Sequence, residues 1–244
     1  MKIDKVILSS DDNEEYLQFW PIVSKAWKNL NIEPVLFYTG KNPIYEVGVH
    51  NFHIEDIDQT FAAQNIRLLA PVLFKDEVCI ISDIDNMPLS QDYFQKNIEL
   101  IENDKFVIFR PESTTKDMVS IMWNVALGKT WSEIFKIDNI NEIKEKLIEW
   151  YPKDYIKLKK NWYFDQKALK SNLDTFAESN SDRIIKLNDN DAGFCRLDRG
   201  DYSIFFNLFY DKKKIYSDFH MPRPYVKYKK TINKVYDLHF SGLQ

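Results

Sequence analysis

An α/β chain with a doubly wound, mostly parallel (mixed) sheet flanked by helices is what these 244 residues predict. Three observations carry the expectation. The chain opens as strand, helix, strand; a continuously apolar run follows near residue 80; and that run ends in two carboxylates, Asp83 and Asp85, where an inner parallel strand of such a sheet presents its ligand-binding end.

Val6-Ile7-Leu8 form a short apolar β run, broken by the polar cluster Ser9-Ser10-Asp11-Asp12-Asn13. Tyr16, Phe19, Trp20, Val23, Trp27 and Leu30 then recur at helical spacing, with Pro21 marking a kink or restart. Pro34-Val35-Leu36-Phe37-Tyr38 is the second β run, stopped at Thr39-Gly40, so the opening is a βαβ unit with parallel strands. A third short run over residues 52–54 leads through Asp58-Gln59 into a helix over residues 60–70, where Gln64 and Arg67 share one face by their three-residue spacing. Val78-Cys79-Ile80-Ile81 reads as a central strand ending at Asp83-Ile84-Asp85. Beyond it, residues 105–109 and 119–123 read as strands, 131–135 and 141–150 as helices, and 161–166 as the approach to a helix ending near Leu173. From about Ser181 onward the pattern predicts short strands and turns, rich in Tyr, Phe and Lys. With no internal repeat, no low-complexity linker and six glycines, a single domain over residues 1–244 is expected.

The formal charge of −4 argues against a general nucleic-acid binder, which gains affinity by neutralising phosphates with surplus Lys and Arg. Cys79 and Cys195 lie far apart without a metal-ligand spacing, which suits a reducing compartment. The opening Met1-Lys2-Ile3-Asp4-Lys5 lacks the apolar stretch of a secretory signal, and no run of about 18 apolar residues occurs, so no transmembrane segment and a cytoplasmic location are expected.

On an extended backbone Asp83 and Asp85 point the same way with Cα atoms about 7 Å apart, and a hard divalent cation can sit there with phosphate oxygens completing its shell. Such an ion neutralises charge growing on a leaving diphosphate. A turn in which Asp85-Asn86 merely caps the next segment is the structural alternative. Its place after a buried strand favours the metal reading.

In this order of parts the chain resembles the GT-A superfamily of nucleotide-sugar-dependent glycosyltransferases. The resemblance spans nearly the whole chain: a first strand with a polar end, a helix carrying Gln64 and Arg67, a buried strand ending in Asp83-Ile84-Asp85, a later Phe164-Asp165-Gln166, and a terminal His239-Phe240-Ser241-Gly242. The compact opening is similar to the small glycosyltransferases encoded by large algal viruses, the chloroviruses, for which the location would be a host cytoplasm. The resemblance implies a Rossmann-like nucleotide-binding half over about residues 1–110 and an acceptor-binding half over about 111–244. It implies that Ser9, Ser10 and Asp11 contact the nucleotide, that Arg67 approaches it or Asp83, that Asp83 serves ribose and metal, and that Asp85 ligates Mn²⁺ or Mg²⁺.

His239 resembles the His-x-x-Gly of retaining members, whose imidazole completes the metal shell, although the Lys-Pro-Trp that often follows is absent. His220 competes for that role, and Arg223 beside it is a candidate partner of the diphosphate. Asp165 is the candidate general base of an inverting transfer; in retaining relatives an Asp-Gln at this place positions the donor sugar instead, and a plain helix cap is the third reading. Trp162 and Gln166 are candidate acceptor-side contacts. The implied partners are a nucleoside-diphosphate sugar, UDP-linked in the first instance, and a glycan or small-molecule hydroxyl. The sequence leans to inversion. Two other classes share the motif: phosphatases that use Asp-x-Asp as nucleophile and acid, and non-catalytic sugar-nucleotide or glycan-binding modules. Nucleotidyl transfer would also use paired carboxylates, but no Gly-rich phosphate loop lies near the N-terminus.

Overall fold

The computed structural model describes residues 1–152, 162–199, 211 and 213–242. Asn161, which opens the predicted approach to a helix, and Leu243 and Gln244, the end of the predicted domain, lie outside the described residues. Strand β1 (Lys5–Ser10) is buried along its whole length. It pairs in parallel with β2 (Glu33–Tyr38) on one side and β4 (Val78–Ile81) on the other. With β3 (Val49–Asn51), β6 (Phe106–Phe109), β7 (Asn124–Leu127) and β8 (Ile184–Leu187) they form a seven-stranded sheet in the order β3-β2-β1-β4-β7-β6-β8. Only β7 runs antiparallel to its neighbours, so the sheet is mixed and mostly parallel, as expected. A second, three-stranded sheet in the order β5-β10-β9 combines β5 (Asn86–Pro88), β9 (Phe194–Leu197) and β10 (Ile215–His220).

Burial on both faces explains the unbroken apolar runs. Along β1, Val6 and Leu8 enter one core with Trp27, Phe94 and Trp123, while Ile7 enters the other with Phe61, Trp131 and Leu169. Helices α1 (Glu14–Leu17) and α2 (Trp20–Asn29) divide where Pro21 falls, since proline is tolerated in a first helical turn but not in the interior. Helix α3 (Gln59–Leu69) is capped by Asp58, whose carboxylate accepts from Thr60 N at 2.9 Å and Phe61 N at 3.1 Å. Among the described residues the remaining α-helices are α4 (Gln91–Phe94), α5 (Gly128–Phe135), α6 (Ile140–Trp150), α7 (Phe164–Asn180), α8 (Asp189–Ala192) and α9 (Tyr225–Phe240). Among the described residues no helix is long and apolar enough to cross a membrane.

Four elements differ from the sequence expectation. The third strand lies at Val49–Asn51, just before the apolar Phe52 and Ile54, which fill the core from a loop. Residues 119–123 are not a strand. Val119 and Ile121 point into one core and Trp123 into the other, so their apolar alternation reflects loop packing, and pairing begins at Asn124. Helix α7 continues past Leu173 to Asn180, burying Phe176 one turn further on. The last segment is the helix α9, not strands and turns: Ile232, Val235, Tyr236 and Phe240 bury at helical spacing, a period masked by β-favouring Tyr, Val and Ile. Lys227, Lys229, Lys230 and Lys234 are exposed on this helix.

The two sheets are joined by a buried charge network centred on Arg110. This residue follows β6 in the left-handed region, at φ 55° and ψ 51°, a conformation that costs about 1–2 kcal/mol for a residue with a Cβ. The turn carries its guanidinium inward. Nε donates to Asp189 at 2.7 Å, and Nη2 donates to Ser217 Oγ at 3.0 Å and Asp218 at 2.9 Å. Tyr93 donates to the other oxygen of Asp189 at 2.6 Å, and Arg196 Nε lies 3.1 Å from Asp218. Removing one member leaves buried charge uncompensated. Arg110→Met is expected to destabilise the fold by about 3–5 kcal/mol in urea unfolding, and a loss below about 1 kcal/mol would contradict this reading.

Candidate active site

The chain leaves the main sheet at Ile81 and enters the small sheet at Asn86, so residues 82–85 form the turn between them. Both ends are pinned. Ser82 N donates to Ile7 O at 3.1 Å, Asn86 N to Asp83 O at 3.2 Å, and Met221 N to Asp85 O at 2.9 Å. The turn faces a cavity of about 430 Å³ between the ends of β1 and β4, helix α3, the start of α7 and the end of β10.

Eleven of the twelve sequence-predicted site residues line this cavity: Ser9, Ser10, Asp11, Arg67, Asp83, Asp85, Trp162, Asp165, Gln166, His220 and Arg223. His239 is the exception. It occupies the last turn of α9, where its ring hydrogen-bonds to the backbone at Leu89 and burial lowers its pKa. The sequence reading placed it near the chain's end without a helix, and a histidine before glycine looks the same in either setting. His220, the competitor, is the imidazole that reaches the acidic turn.

Arg67 is buried in the site, 9% exposed, and so is not a solvated helix arginine. Its Nη1 is ion-paired with Asp83 and its Nη2 with Asp165 at 2.7 Å, so α3 ties the strand-end turn to α7. Burial opposes its charge, but the two carboxylates outweigh that and raise its pKa. For Asp165 burial dominates and pushes the carboxyl above its ordinary value, with Arg67 acting against it. Its second oxygen accepts from Gln166 N at 2.8 Å.

Asp85 is covered by cations. Its Oδ2 lies 3.0 Å from Arg199 Nη1, 3.7 Å from His220 Nε2 and 3.8 Å from Arg223 Nε. Burial would raise its pKa, but the His220 hydrogen bond and the charges of His220, Arg199 and Arg223 hold it low. The other ring nitrogen of His220 lies 3.1 Å from Asp198, and although burial favours the neutral ring, the two aspartates raise its pKa. Arg223 in turn hydrogen-bonds to Tyr16 Oη and stands over the Tyr16 ring, 4.6 Å from its centroid.

On the β1 side the polar end is locally tied. Ser9 Oγ donates to Ala63 O at 2.5 Å, Ser10 Oγ to Asp11 O at 3.0 Å, and Asp11 accepts from Thr60 Oγ1 at 2.7 Å and Asn13 N at 3.1 Å. Trp162 stands at the rim, 56% exposed, with its carbonyl accepting from Gln64 Nε2 at 3.2 Å. Sequence reasoning missed Arg199 and the role of Tyr16. Arg199 sits outside any periodic pattern, and Tyr16 looked like one more residue of a helix stripe.

Asp83, Asp85 and His220 are the donors that suit a hard or borderline cation such as Mn²⁺ or Mg²⁺. No three His, Cys, Asp or Glu side chains among the described residues converge tightly enough to hold an ion by themselves. Ligand oxygens would have to complete the shell.

No family model matches the sequence, and no curated protein matches it. Solved structures do. An active-site variant of LgtC aligns with a TM-score of 0.50 at 10% identity, over 95% of this chain and 94% of that one. A glycosyltransferase involved in the glycosylation of the major capsid of PBCV-1 aligns at 0.46 and 10% identity, over 95% and 99% of the two chains. The glycosyltransferase GlyE of Streptococcus pneumoniae TIGR4 aligns at 0.48 and 13% identity over 99% of this chain, which spans 64% of GlyE. At such identity the likeness speaks for architecture, and the architecture of this chain is the GT-A fold of glycosyltransferases.

Proposed function

We propose that the protein is a glycosyltransferase that moves a sugar from a nucleoside-diphosphate donor, UDP-linked in the first instance, to a hydroxyl of a glycan or small acceptor, with Mn²⁺ or Mg²⁺ bound at the acidic turn. One observation carries the reading. The polar end of β1, the Asp83/Asp85 turn and the Asp165-Gln166 start of α7 face a single cavity at the C-terminal ends of adjacent parallel strands. Ser9, Ser10 and Asp11 then meet the nucleoside. Asp83 serves ribose and metal, Asp85 holds the metal, and His220, 3.7 Å from Asp85, is the imidazole beside that turn in place of His239. When bound there, the ion supplies Lewis-acid neutralisation of the leaving diphosphate.

The geometry favours retention over the inversion that the sequence leaned toward. A general base needs a free oxygen within reach of the acceptor proton. Asp165 is 2% exposed, with one oxygen on Arg67 and the other on Gln166 N. In the retaining reading Asp165 is a positioning group that fixes Arg67 and the start of α7, and Trp162 and Gln166 line the path to the acceptor. A phosphatase reading fares worse, because its nucleophile would be a free carboxylate and Asp83 is paired with Arg67.

Two outcomes are expected. Chelation with EDTA should abolish transfer from UDP-sugars and Mn²⁺ restore it, while Asp85→Asn should lower the rate by about 10²–10³-fold even with saturating metal. Full activity in EDTA, or hydrolysis of a phosphomonoester in place of transfer, would refute the reading. Proton NMR of the fresh product should show the donor's anomeric configuration preserved; an inverted product would return Asp165 to the role of base.

A further inference from the structure

We infer that Arg199 and Arg223 form a diphosphate clamp: they cap Asp85 in the free protein and exchange that carboxylate for the phosphates of an incoming nucleoside diphosphate. The inference rests on the nucleotide-sugar reading and adds to it a metal-independent anion site made of two named arginines.

Charge imbalance around Asp85 is the first support. Asp198 answers His220 at 3.1 Å and is itself shared with Arg196 at 3.6 Å, which among the described residues leaves two guanidinium groups for one carboxylate oxygen of Asp85. Like charges converging on one acceptor repel each other unless a further anion joins them, and the open side of this cluster is the cavity. Exposure is the second support. The Asp85 side chain is 7% exposed, whereas Arg199 is 32% and Arg223 27% exposed, so a ligand entering the cavity meets guanidinium before carboxylate.

Reach and support complete the case. Arg199 follows β9 and Arg223 follows β10, so the two approach Asp85 from adjacent elements of the small sheet. Tyr16 holds Arg223 by ring and hydroxyl from the opposite wall, which keeps that guanidinium at the cavity mouth when its carboxylate is taken by another cation. A planar guanidinium with paired donors matches phosphate oxygens far better than it matches one shared carboxylate oxygen. A diphosphate brings at least two negative charges to two guanidinium groups that share one carboxylate oxygen: without metal the phosphates join Asp85 around them, and when an ion takes Asp85 the phosphates replace it. Each group ends with an opposite charge, and none is left bare.

The test is calorimetry of UDP and of uridine binding in EDTA, on the wild-type chain, Arg199→Gln and Arg223→Gln, with Arg199→Lys as a charge-keeping control and the unfolding midpoint of each variant as a check on folding. The wild type is expected to bind UDP more tightly than uridine without metal. Each Gln variant should weaken UDP binding by about tenfold or more while leaving uridine unchanged, and Arg199→Lys should recover part of the loss. Equal affinity of the wild type for UDP and uridine in EDTA, with UDP binding restored by Mn²⁺, overturns the clamp and leaves the nucleotide-sugar reading standing. Gln variants that keep full UDP affinity and merely unfold earlier also overturn it, because the arginines are then only counter-ions to Asp85. If neither probe binds the wild type with or without Mn²⁺, the nucleotide reading and the clamp fall together.

Discussion

The structure depends on how the chain crosses from one sheet to the other in four residues, 82–85. Strand β4 is held between β1 and β7 in the large sheet, and β5 is held by β10 in the small one. The turn between them has little freedom. Two carboxylates placed on it are fixed relative to the ends of both sheets, and the cations that answer them come from elements the same crossing brings close. Arg67 approaches from α3 on the main-sheet side, and Arg199, His220 and Arg223 come from the small sheet.

Such buried charge is poorly explained as a source of stability. Taking an ion pair out of water costs several kcal/mol per ion, and the attraction that follows offsets this only with good geometry and extra hydrogen bonds. Arg67 meets two carboxylates, yet among the described residues its Nε is buried without a hydrogen-bond partner, and Arg110 likewise leaves Nη1 unmatched. What the pairs give is position. Arg67 sets Asp83 against Asp165 across the cavity, while the Arg110 network fixes the small sheet, and with it His220, against the large one. The stability needed to carry these costs comes from two aromatic-rich cores, where fully buried Trp27, Trp123 and Trp131 are each worth about 3–5 kcal/mol against alanine.

Much of this was legible in the sequence, for physical reasons. A strand buried on both faces must be apolar at every position, so Val78-Cys79-Ile80-Ile81 could hardly be anything else, and the acids after it fall where open sheets place ligands. The polar end of β1 and the Arg67 face of α3 were readable from the same periodicities. Long-range charge partners were not. Nothing local marks Arg199 as a neighbour of Asp85, which is 114 positions earlier in the chain. The terminal helix was hidden by residues with strand preference, and the His-x-x-Gly likeness drew attention to His239, whereas His220 lines the cavity. Residues 119–123 failed for the opposite reason, because a loop that packs alternate side chains into two cores imitates a strand.

Central to the account is that one nucleoside diphosphate and one divalent ion meet at the turn. Crystals grown with UDP and Mn²⁺, measured at a wavelength where manganese scatters anomalously, address this directly. An anomalous peak is expected about 2.0–2.3 Å from the Asp85 carboxylate, beside the diphosphate, with the nucleoside lying toward Asp11. A peak beside His239, or nucleotide density outside the cavity lined by Asp83 and Asp85, would contradict it.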